Sequence, residues 1–318
     1  MTAELIQVGC SLLLLFAGAE ALVRGSASLA LRLGLTPLLV GLTVVSFGTS
    51  APEMLVSVQA ATAGKGDLAV ANVIGSNILN LGIILGLTAL VCPIPINRSL
   101  IRFDAPVLVG ASILAGSLIA AGLLGAPAGI ALLLLLLLYT GLNVRFARRD
   151  AAAEIGGQFA DGAPVCSRSA GRDGLLALAG LGALAFGARL LVAAATQLAL
   201  DFGVSEAVIG LTIVALGTSL PELVTCLVAA WRGQPDIAAG NAIGSSVFNL
   251  LGILGLAALL GPVDAPNIHA FDLIVMAAFA AATLPLLWTG LRLRRWEGAL
   301  LLAGYGAYVW AIWPDGTT

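Results

Sequence analysis

The sequence predicts an all-α integral membrane protein with about ten transmembrane helices in two inverted-topology five-helix repeats. The 318 residues are 59% hydrophobic and 10% charged, with a mean hydropathy of +1.05, whereas a soluble domain has roughly a quarter charged residues. The apolar residues also fall into runs of about 20, the length of a spanning helix. In addition, the two halves of the chain repeat the same motifs.

Ten apolar runs are long enough to span a bilayer, for which roughly 20 residues are needed. They lie at about 5–23, 36–62, 68–91, 105–124, 127–145, 174–199, 206–230, 237–260, 272–290 and 297–313. The N-terminal residues MTAELIQ carry no positive side chain, so we interpret the first run as a retained span and not as a signal peptide. The Arg- and Gly-containing stretch 146–173 is predicted to link a first five-helix repeat, 1–145, to a second, 174–318.

Positive charges are divided unevenly between the two sides of this arrangement. The opposite side carries only Lys65, and Arg189 lies within a span. The other thirteen Lys and Arg residues fall on one side: Arg24, Arg32, Arg98, Arg102, Arg145, Arg148, Arg149, Arg168, Arg172, Arg232, Arg292, Arg294 and Arg295. Cytoplasmic loops carry the excess of Lys and Arg. We therefore expect a cytoplasmic linker and both termini outside. The preference for Arg over Lys is typical of a GC-rich prokaryotic genome, which indicates the inner (plasma) membrane.

An internal repeat runs through the chain with an offset of 169 positions. The segment GLTVVSFGTSAPE, from Gly41 to Glu53, returns as GLTIVALGTSLPE, from Gly210 to Glu222. Because five spans per repeat is an odd number, the second repeat enters the membrane from the opposite side, as in many secondary transporters. A duplication that serves architecture alone is the alternative. Further matches are Gly18 with Gly187, Asp67 with Asp236, Asn72 with Asn241, Ser76 with Ser245, Asn80 with Asn249 and, after one deletion, Phe103 and Asp104 with Phe271 and Asp272.

Each repeat places one glutamate, Glu53 or Glu222, in the middle of an apolar span. A carboxylate at the bilayer centre costs at least roughly 2.5–3.5 kcal/mol and therefore indicates a functional site. Pro52 and Pro221 precede these glutamates, and proline cannot donate an N–H to the carbonyl four residues earlier. A carbonyl freed at membrane depth needs another partner, and a desolvated cation is one. The structural alternative is that each glutamate is paired with a buried arginine or is protonated, and that each proline only kinks its helix.

The third and eighth predicted spans supply more oxygen donors. Side chains at i, i+4 and i+8 share one face of a helix. Such a face can bind ions, or it can join neighbouring helices by hydrogen bonds. The two stripes are Asn72, Ser76 and Asn80 in the third span and Asn241, Ser245 and Asn249 in the eighth.

The types of donor residue indicate which ion the predicted site would bind. Its donors are carboxylate, hydroxyl, amide and carbonyl oxygens, which suit hard cations, and Ca²⁺ takes 6–8 of them. The four cysteines are far apart and His269 lies near a span boundary, so no thiolate or imidazole site is indicated. Two carboxylates neutralise one divalent ion. Without cations they would repel each other in a low dielectric, which favours obligatory exchange over leakage.

These segments closely resemble the calcium:cation antiporter superfamily, in particular the prokaryotic sodium/calcium exchanger family. The resemblance rests on GTSAPE at 48–53 with GSNILN at 75–80, and on GTSLPE at 217–222 with GSSVFN at 244–249. It covers the whole chain and implies antiport of Ca²⁺ against Na⁺ by alternating access, with no enzymatic activity and no cofactor. It further implies a set of cation ligands: Glu53, Glu222, the carbonyls of Thr49 and Thr218, Ser50, Ser219, Ser76, Ser245, Asn80, Asn249 and the carbonyls of Ser46 and Ala215.

Two departures from the family pattern leave the coupling ion open. Asn249 stands where sodium-coupled members often have an aspartate, and Ser246 stands opposite Asn77. One carboxylate fewer weakens the case for several bound Na⁺ ions. Na⁺ is the first expectation and H⁺ the second.

Two other classes of protein compete with the transporter. A cation channel would use similar oxygen ligands but needs a continuous pore, and an intramembrane hydrolase needs a buried nucleophile and base, for which no histidine is placed. The expected partners are Ca²⁺, monovalent cations and the lipid bilayer, without nucleic acid, and the chain is expected to function as a monomer.

Overall fold

The computed structural model describes residues 2–32, 35–154, 169–201, 215–261 and 263–312. Nearly all of these residues are helical, which confirms the predicted all-α class. The helices of the first half are α1 (Thr2–Arg32), α2 (Pro37–Thr49), α3 (Ala51–Thr62), α4 (Gly66–Val91), α5 (Leu100–Ala120) and α6 (Ala126–Glu154). Those of the second half are α7 (Ala170–Asp201), α8 (Ala215–Thr218), α9 (Leu220–Trp231), α10 (Pro235–Leu260), α11 (Ala270–Trp288) and α12 (Arg295–Ile312).

A short antiparallel ladder joins the two halves at one end of the bundle. Strand β1 (Ile94–Pro95) pairs with β2 (Arg292–Leu293), with Ile94 opposite Leu293 and Pro95 opposite Arg292. The ladder lies between α4 and α5 in the first half and between α11 and α12 in the second. It therefore holds together the ends of helices that are far apart in sequence.

Seven of the helices in the described residues are long and apolar enough to cross a membrane, and the bent pair of α2 and α3 makes an eighth. Two of the ten predicted spans are not among them. The span predicted at 206–230 is represented by α8 and α9, and its residues 206–214 lie outside the described part of the chain. The other, α12, begins with Arg-Trp-Glu, which lowers its hydropathy. The structure thus confirms a protein with several spans, and the number ten stays a prediction.

Helices α4 and α10 form the interior of the bundle. In each of them 78% of the apolar stretch is buried, against 22% in α6. Small residues let α2 pack closely on α10: a Cβ atom added to Gly240 would lie 2.9 Å from the carbonyl oxygen of Leu38, and one added to Gly244 would lie 2.4 Å from Oγ of Ser46. The polar stripes predicted in these two helices therefore lie in the centre of the protein and not on its lipid surface.

The first helices of the two halves pack against each other. Helix α1 contacts α7 along its length, and glycines make the approach close. A Cβ atom on Gly18 would lie 2.9 Å from the carbonyl oxygen of Gly180, and one on Gly180 would lie 2.5 Å from the backbone nitrogen of Leu22. Packing of this kind is typical of helices in lipid, where small residues lead to close backbone contact.

Helices extend into both ends of the predicted linker, 146–173. Helix α6 continues to Glu154 and α7 begins at Ala170, and residues 155–168 lie outside the described part of the chain. The alanine-rich sequence after Arg149 favours continuation of α6 beyond the apolar run.

Candidate cation site

Both halves contain a helix break just before the buried glutamate. Ser50 separates α2 from α3 with φ −81° and ψ 7°, and Ser219 separates α8 from α9 with φ −91° and ψ 6°. The two helices of the first break meet at an angle of 50°. Pro52 and Pro221 lie in the first turns of α3 and α9 and have no N–H to donate to the helix. The predicted interruption of these spans is therefore present in both halves.

The two glutamates belong to one cluster in which each is held by a serine of the other half. Oγ of Ser50 donates a 2.8 Å hydrogen bond to Oε1 of Glu222, and Oγ of Ser219 donates a 2.8 Å bond to Oε1 of Glu53. Both glutamates are only 1% exposed. Their Oε2 atoms have no hydrogen-bond partner among the described residues. The cluster thus contains two buried carboxylates, each with one oxygen that is free to bind a ligand.

The first asparagine of each stripe supports the helix that carries the glutamate. Nδ2 of Asn72 donates to the carbonyl oxygen of Glu53 at 3.1 Å and to Oγ of Ser57 at 2.8 Å. In the second half, Nδ2 of Asn241 donates to Sγ of Cys226 at 3.4 Å. These asparagines therefore fix the position of α3 and α9 relative to the interior helices.

Sequence reasoning missed the residues on α3 and α9 that receive these bonds. Ser57 and Cys226 each lie four residues after a glutamate and are related by the same offset of 169 positions. Because residues i and i+4 share a helix face, that spacing was the available signal. Thr225 was missed as well: it is fully buried three residues after Glu222, and its Oγ1 has no partner within the described residues.

The last asparagine of each stripe begins a π-helical turn inside the bundle. These turns are Asn80–Ile84 in α4 and Asn249–Ile253 in α10, and π-helical turns frequently occur at functional sites. Asn80 and Asn249 are both 1% exposed. Oδ1 of Asn80 and both side-chain polar atoms of Asn249 have no partner in the described ranges. Because a buried polar group without a partner costs about 1–3 kcal/mol, a ligand that bonds these atoms would stabilise the structure.

The other predicted ligands differ in how directly they join this cluster. Oγ1 of Thr49 donates to Oδ1 of Asn241 at 3.1 Å, and Oγ of Ser245 lies 3.4 Å from the same atom. The hydroxyl of Ser46 donates to the carbonyl oxygen of Gly41 at 2.6 Å, and its own carbonyl accepts from the backbone N–H of Ser50 at 3.0 Å. Of the rest, Ser76 is buried in α4, and Ala215 and Thr218 form the two ends of α8.

The donors at the cluster are suited to a hard cation. The described ranges contain no group of three or more His, Cys, Asp and Glu side chains that could hold a metal ion, so the two carboxylates act with neutral oxygens. His269 is exposed and precedes α11, in agreement with its predicted position near a span boundary. Carboxylate, amide and hydroxyl oxygens are the ligands that Ca²⁺ and Na⁺ prefer.

A bundle of apolar spans with two broken helices and paired carboxylates in its centre has the architecture of a membrane cation transporter. The comparison with known families agrees. The family model described as sodium/calcium exchanger protein matches residues 4–145 and 174–313. The chain belongs to this family of transporters and is therefore not an enzyme.

Individual relatives resemble the chain over nearly its whole length. The inner membrane protein YrbG of Escherichia coli (strain K12) is 36% identical over 298 residues, which cover 92% of each chain. The sodium/calcium exchanger MaX1 of Methanosarcina acetivorans is 28% identical, over 94% of this chain and 95% of its own. A solved structure of the sodium-calcium exchanger NCX_Mj has a TM-score of 0.84 and 29% identity, covering 97% of this chain and 98% of its own.

Proposed function

We propose that the protein is a secondary antiporter that exchanges Ca²⁺ for Na⁺ by alternating access through a central, all-oxygen cation site. The observation that carries this proposal is the crosswise pairing of Ser50 with Glu222 and of Ser219 with Glu53, which leaves one free oxygen on each carboxylate. A site built from both halves opens to one side or the other when the halves move relative to each other.

The ligands of this site are the residues that the sequence motifs identify. Glu53 and Glu222 would bind Ca²⁺ directly. The side-chain amide oxygens of Asn80 and Asn249, which have no hydrogen-bond partner among the described residues, would also bind a cation. The remaining contributors would be Thr49, Thr218, Ser50, Ser219, Ser76 and Ser245, with the carbonyls of Ser46 and Ala215 at flanking Na⁺ positions. We expect no cofactor, because exchange of ions involves no chemical reaction.

The charge of the site gives a reason for exchange. Two carboxylates in a low-dielectric interior repel each other strongly when no cation neutralises them. The carrier without bound cations is therefore expected to convert slowly between the states that are open to either side of the membrane. One Ca²⁺ or several monovalent cations remove this barrier, so movement of one ion depends on return of the other.

Na⁺ is proposed as the coupling ion, and H⁺ is the alternative. The sodium-calcium exchangers MaX1 and NCX_Mj are similar to this chain over nearly their whole length, which supports Na⁺. Asn249 in place of an acidic residue favours H⁺ or another stoichiometry, because it removes one negative charge from the site.

The decisive experiment is Ca²⁺ uptake into proteoliposomes under a Na⁺ gradient and, separately, under a pH gradient. We expect the Na⁺ gradient to drive uptake, and Glu53→Gln and Glu222→Gln to lower it by about thirty-fold or more, because removing one member of a buried charged interaction costs roughly 2–5 kcal/mol. Glu297→Gln, a change of another buried glutamate far along the chain in α12, is the matched control and should retain uptake.

Each other outcome has a defined meaning. Uptake under the pH gradient alone would identify H⁺, and not Na⁺, as the coupling ion. Rapid Ca²⁺ movement without any opposing gradient would favour a channel. Normal uptake by a folded Glu53→Gln protein would contradict the central site.

We also propose the membrane arrangement that the sequence predicts. It comprises ten spans in two inverted repeats, 1–145 and 174–318, joined by a cytoplasmic linker at 146–173, with both termini outside the inner membrane and a functional monomer. The similarity to the inner membrane protein YrbG and the one-sided distribution of arginines support this arrangement. A reporter that is active only in the cytoplasm should be active when inserted at 160 and inactive at either terminus.

A further inference from the structure

We propose that an exposed cluster of arginines at one end of the bundle binds the head groups of anionic phospholipids. The cluster, here called the arginine patch, combines two parts of the chain that are almost 200 positions apart. All five side chains are exposed: Arg98, Arg102, Arg292, Arg294 and Arg295. The inference does not depend on the proposed transport function, because it concerns a surface away from the cation site.

The β1–β2 ladder brings the two parts of the patch together. Pro95 pairs with Arg292, and the backbone N–H of Ile96 donates to the carbonyl oxygen of Leu291 at 2.8 Å. Arg98 lies three residues after the end of β1, and Arg102 lies one helical turn further on. Arg294 and Arg295 follow β2. The tertiary structure therefore concentrates five positive charges that neither sequence segment has alone.

These charges are not neutralised by the protein in the part of the chain that the structure describes. The recorded ion pairs use other arginines: Arg32 bonds Asp173, while Arg24 and Arg232 bond Glu20. Two acidic residues lie close to the patch in sequence, Asp104 and Glu297, and both are fully buried. Asp104 accepts a hydrogen bond from the hydroxyl of Tyr139. Oε1 of Glu297 accepts from Oγ1 of Thr289 at 2.5 Å, and its Oε2 accepts from the backbone N–H of Arg294 at 2.6 Å. Glu297 thus shapes the turn and leaves the guanidinium groups free.

The position of the patch favours a lipid head group over a soluble anion. Two candidate membrane spans, Leu100–Ala120 and Ala270–Leu291, end beside it. Two exposed tryptophans flank it, Trp288 at 72% exposure and Trp296 at 54%. Tryptophan is enriched at the level of the lipid head groups, and each Lys or Arg near an anionic membrane surface contributes about 1 kcal/mol. Positive charge and indole rings at one boundary match an anionic phospholipid.

Quenching of tryptophan fluorescence by brominated lipids tests this proposal on the full chain. With Trp231, Trp310 and Trp313 replaced by Phe, the remaining tryptophans are Trp288 and Trp296. In phosphatidylcholine vesicles, brominated phosphatidylglycerol should quench them at a much lower mole fraction than brominated phosphatidylcholine. Arg98→Gln and Arg292→Gln should each raise the half-quenching mole fraction about five-fold, the factor that corresponds to about 1 kcal/mol per arginine.

The matched control removes two positive charges that lie outside the patch. Lys65 and Arg189 are both exposed, and the double variant Lys65→Gln/Arg189→Gln should leave the half-quenching fraction unchanged. Equal quenching by both lipids, or an equal shift in the control variant, would overturn the proposal. Displacement of the anionic lipid by millimolar inorganic phosphate would also overturn it, since the patch would then be a site for soluble anions.

Discussion

At the scale of single residues, the most informative feature is the crosswise contact between serine and glutamate. Each serine lies at a helix break three residues before its own glutamate, yet it donates to the glutamate of the other half. Each broken helix thus orients the ligand of its partner. This arrangement makes the site a property of both halves, and neither half would form it alone.

A double-mutant cycle on the free energy of unfolding measures this crosswise contact. Ser50→Ala and Glu222→Ala should show a coupling of about 1.5–3 kcal/mol, the range for a hydrogen bond to a charged group. Ser50→Ala and Glu53→Ala, which are neighbours in sequence but not hydrogen-bonded to each other, should show a smaller coupling than the crosswise pair. Stronger coupling within one half than across the halves would show that the serines orient their own glutamates.

At the scale of secondary-structure elements, the repeated Phe-Asp pairs join consecutive helices through a tyrosine. The hydroxyl of Tyr139 on α6 donates to Oδ1 of Asp104 on α5 at 2.9 Å. The hydroxyl of Tyr308 on α12 donates to Oδ1 of Asp272 on α11, also at 2.9 Å. In both halves the preceding phenylalanine stacks on the tyrosine ring, with centroids 5.8 and 6.1 Å apart. The two copies differ in burial, because Asp104 is fully buried and Asp272 is partly exposed.

This difference predicts unequal effects of the same substitution. Tyr139→Phe should destabilise the protein by about 2–3 kcal/mol, because it leaves a buried carboxylate without its donor. Tyr308→Phe should cost about 1 kcal/mol or less, since water can solvate Asp272. Chemical denaturation in detergent measures both. Equal losses would show that burial does not determine the strength of these contacts.

At the scale of the whole molecule, the polar centre is shared by both halves. The stripes of α4 and α10 both lie in the interior, where Ser76, Asn80, Ser245 and Asn249 are buried. The face of α4 at Gly75 is exposed. Because a single central site has to open to one side at a time, we expect water to reach a face beside it in one state of the carrier.

Labelling of introduced cysteines tests whether this exposed face borders water. We expect Gly75→Cys to react with a membrane-impermeant maleimide and the reaction to slow when saturating Ca²⁺ shifts the carrier to another state. Gly110→Cys is the matched control: it is also exposed and free of close neighbours, but it lies on the outer helix α5 and should be shielded by lipid. Equal labelling of both positions would contradict access of water to this face.

The sequence by itself determined the membrane class, the internal repeat and the identity of the paired glutamates. These features are local or periodic in the sequence. Hydropathy indicates whether water or lipid surrounds the protein, and a motif that returns 169 positions later can be recognised without a structure. The count of spans could not be established in the same way, because α12 begins with charged residues and part of the span at 206–230 lies outside the described chain.

Only the tertiary structure decided which side chains meet. The bonds from Asn72 to Ser57, from Ser50 to Glu222 and from Asn241 to Cys226 depend on packing between separate helices, and hydropathy contains no information on such distances. The same holds for the arginine patch, which the β1–β2 ladder assembles from distant segments. Lipid selects apolar surfaces for the outside of the bundle, but close packing of small residues inside it determines which polar groups share the centre.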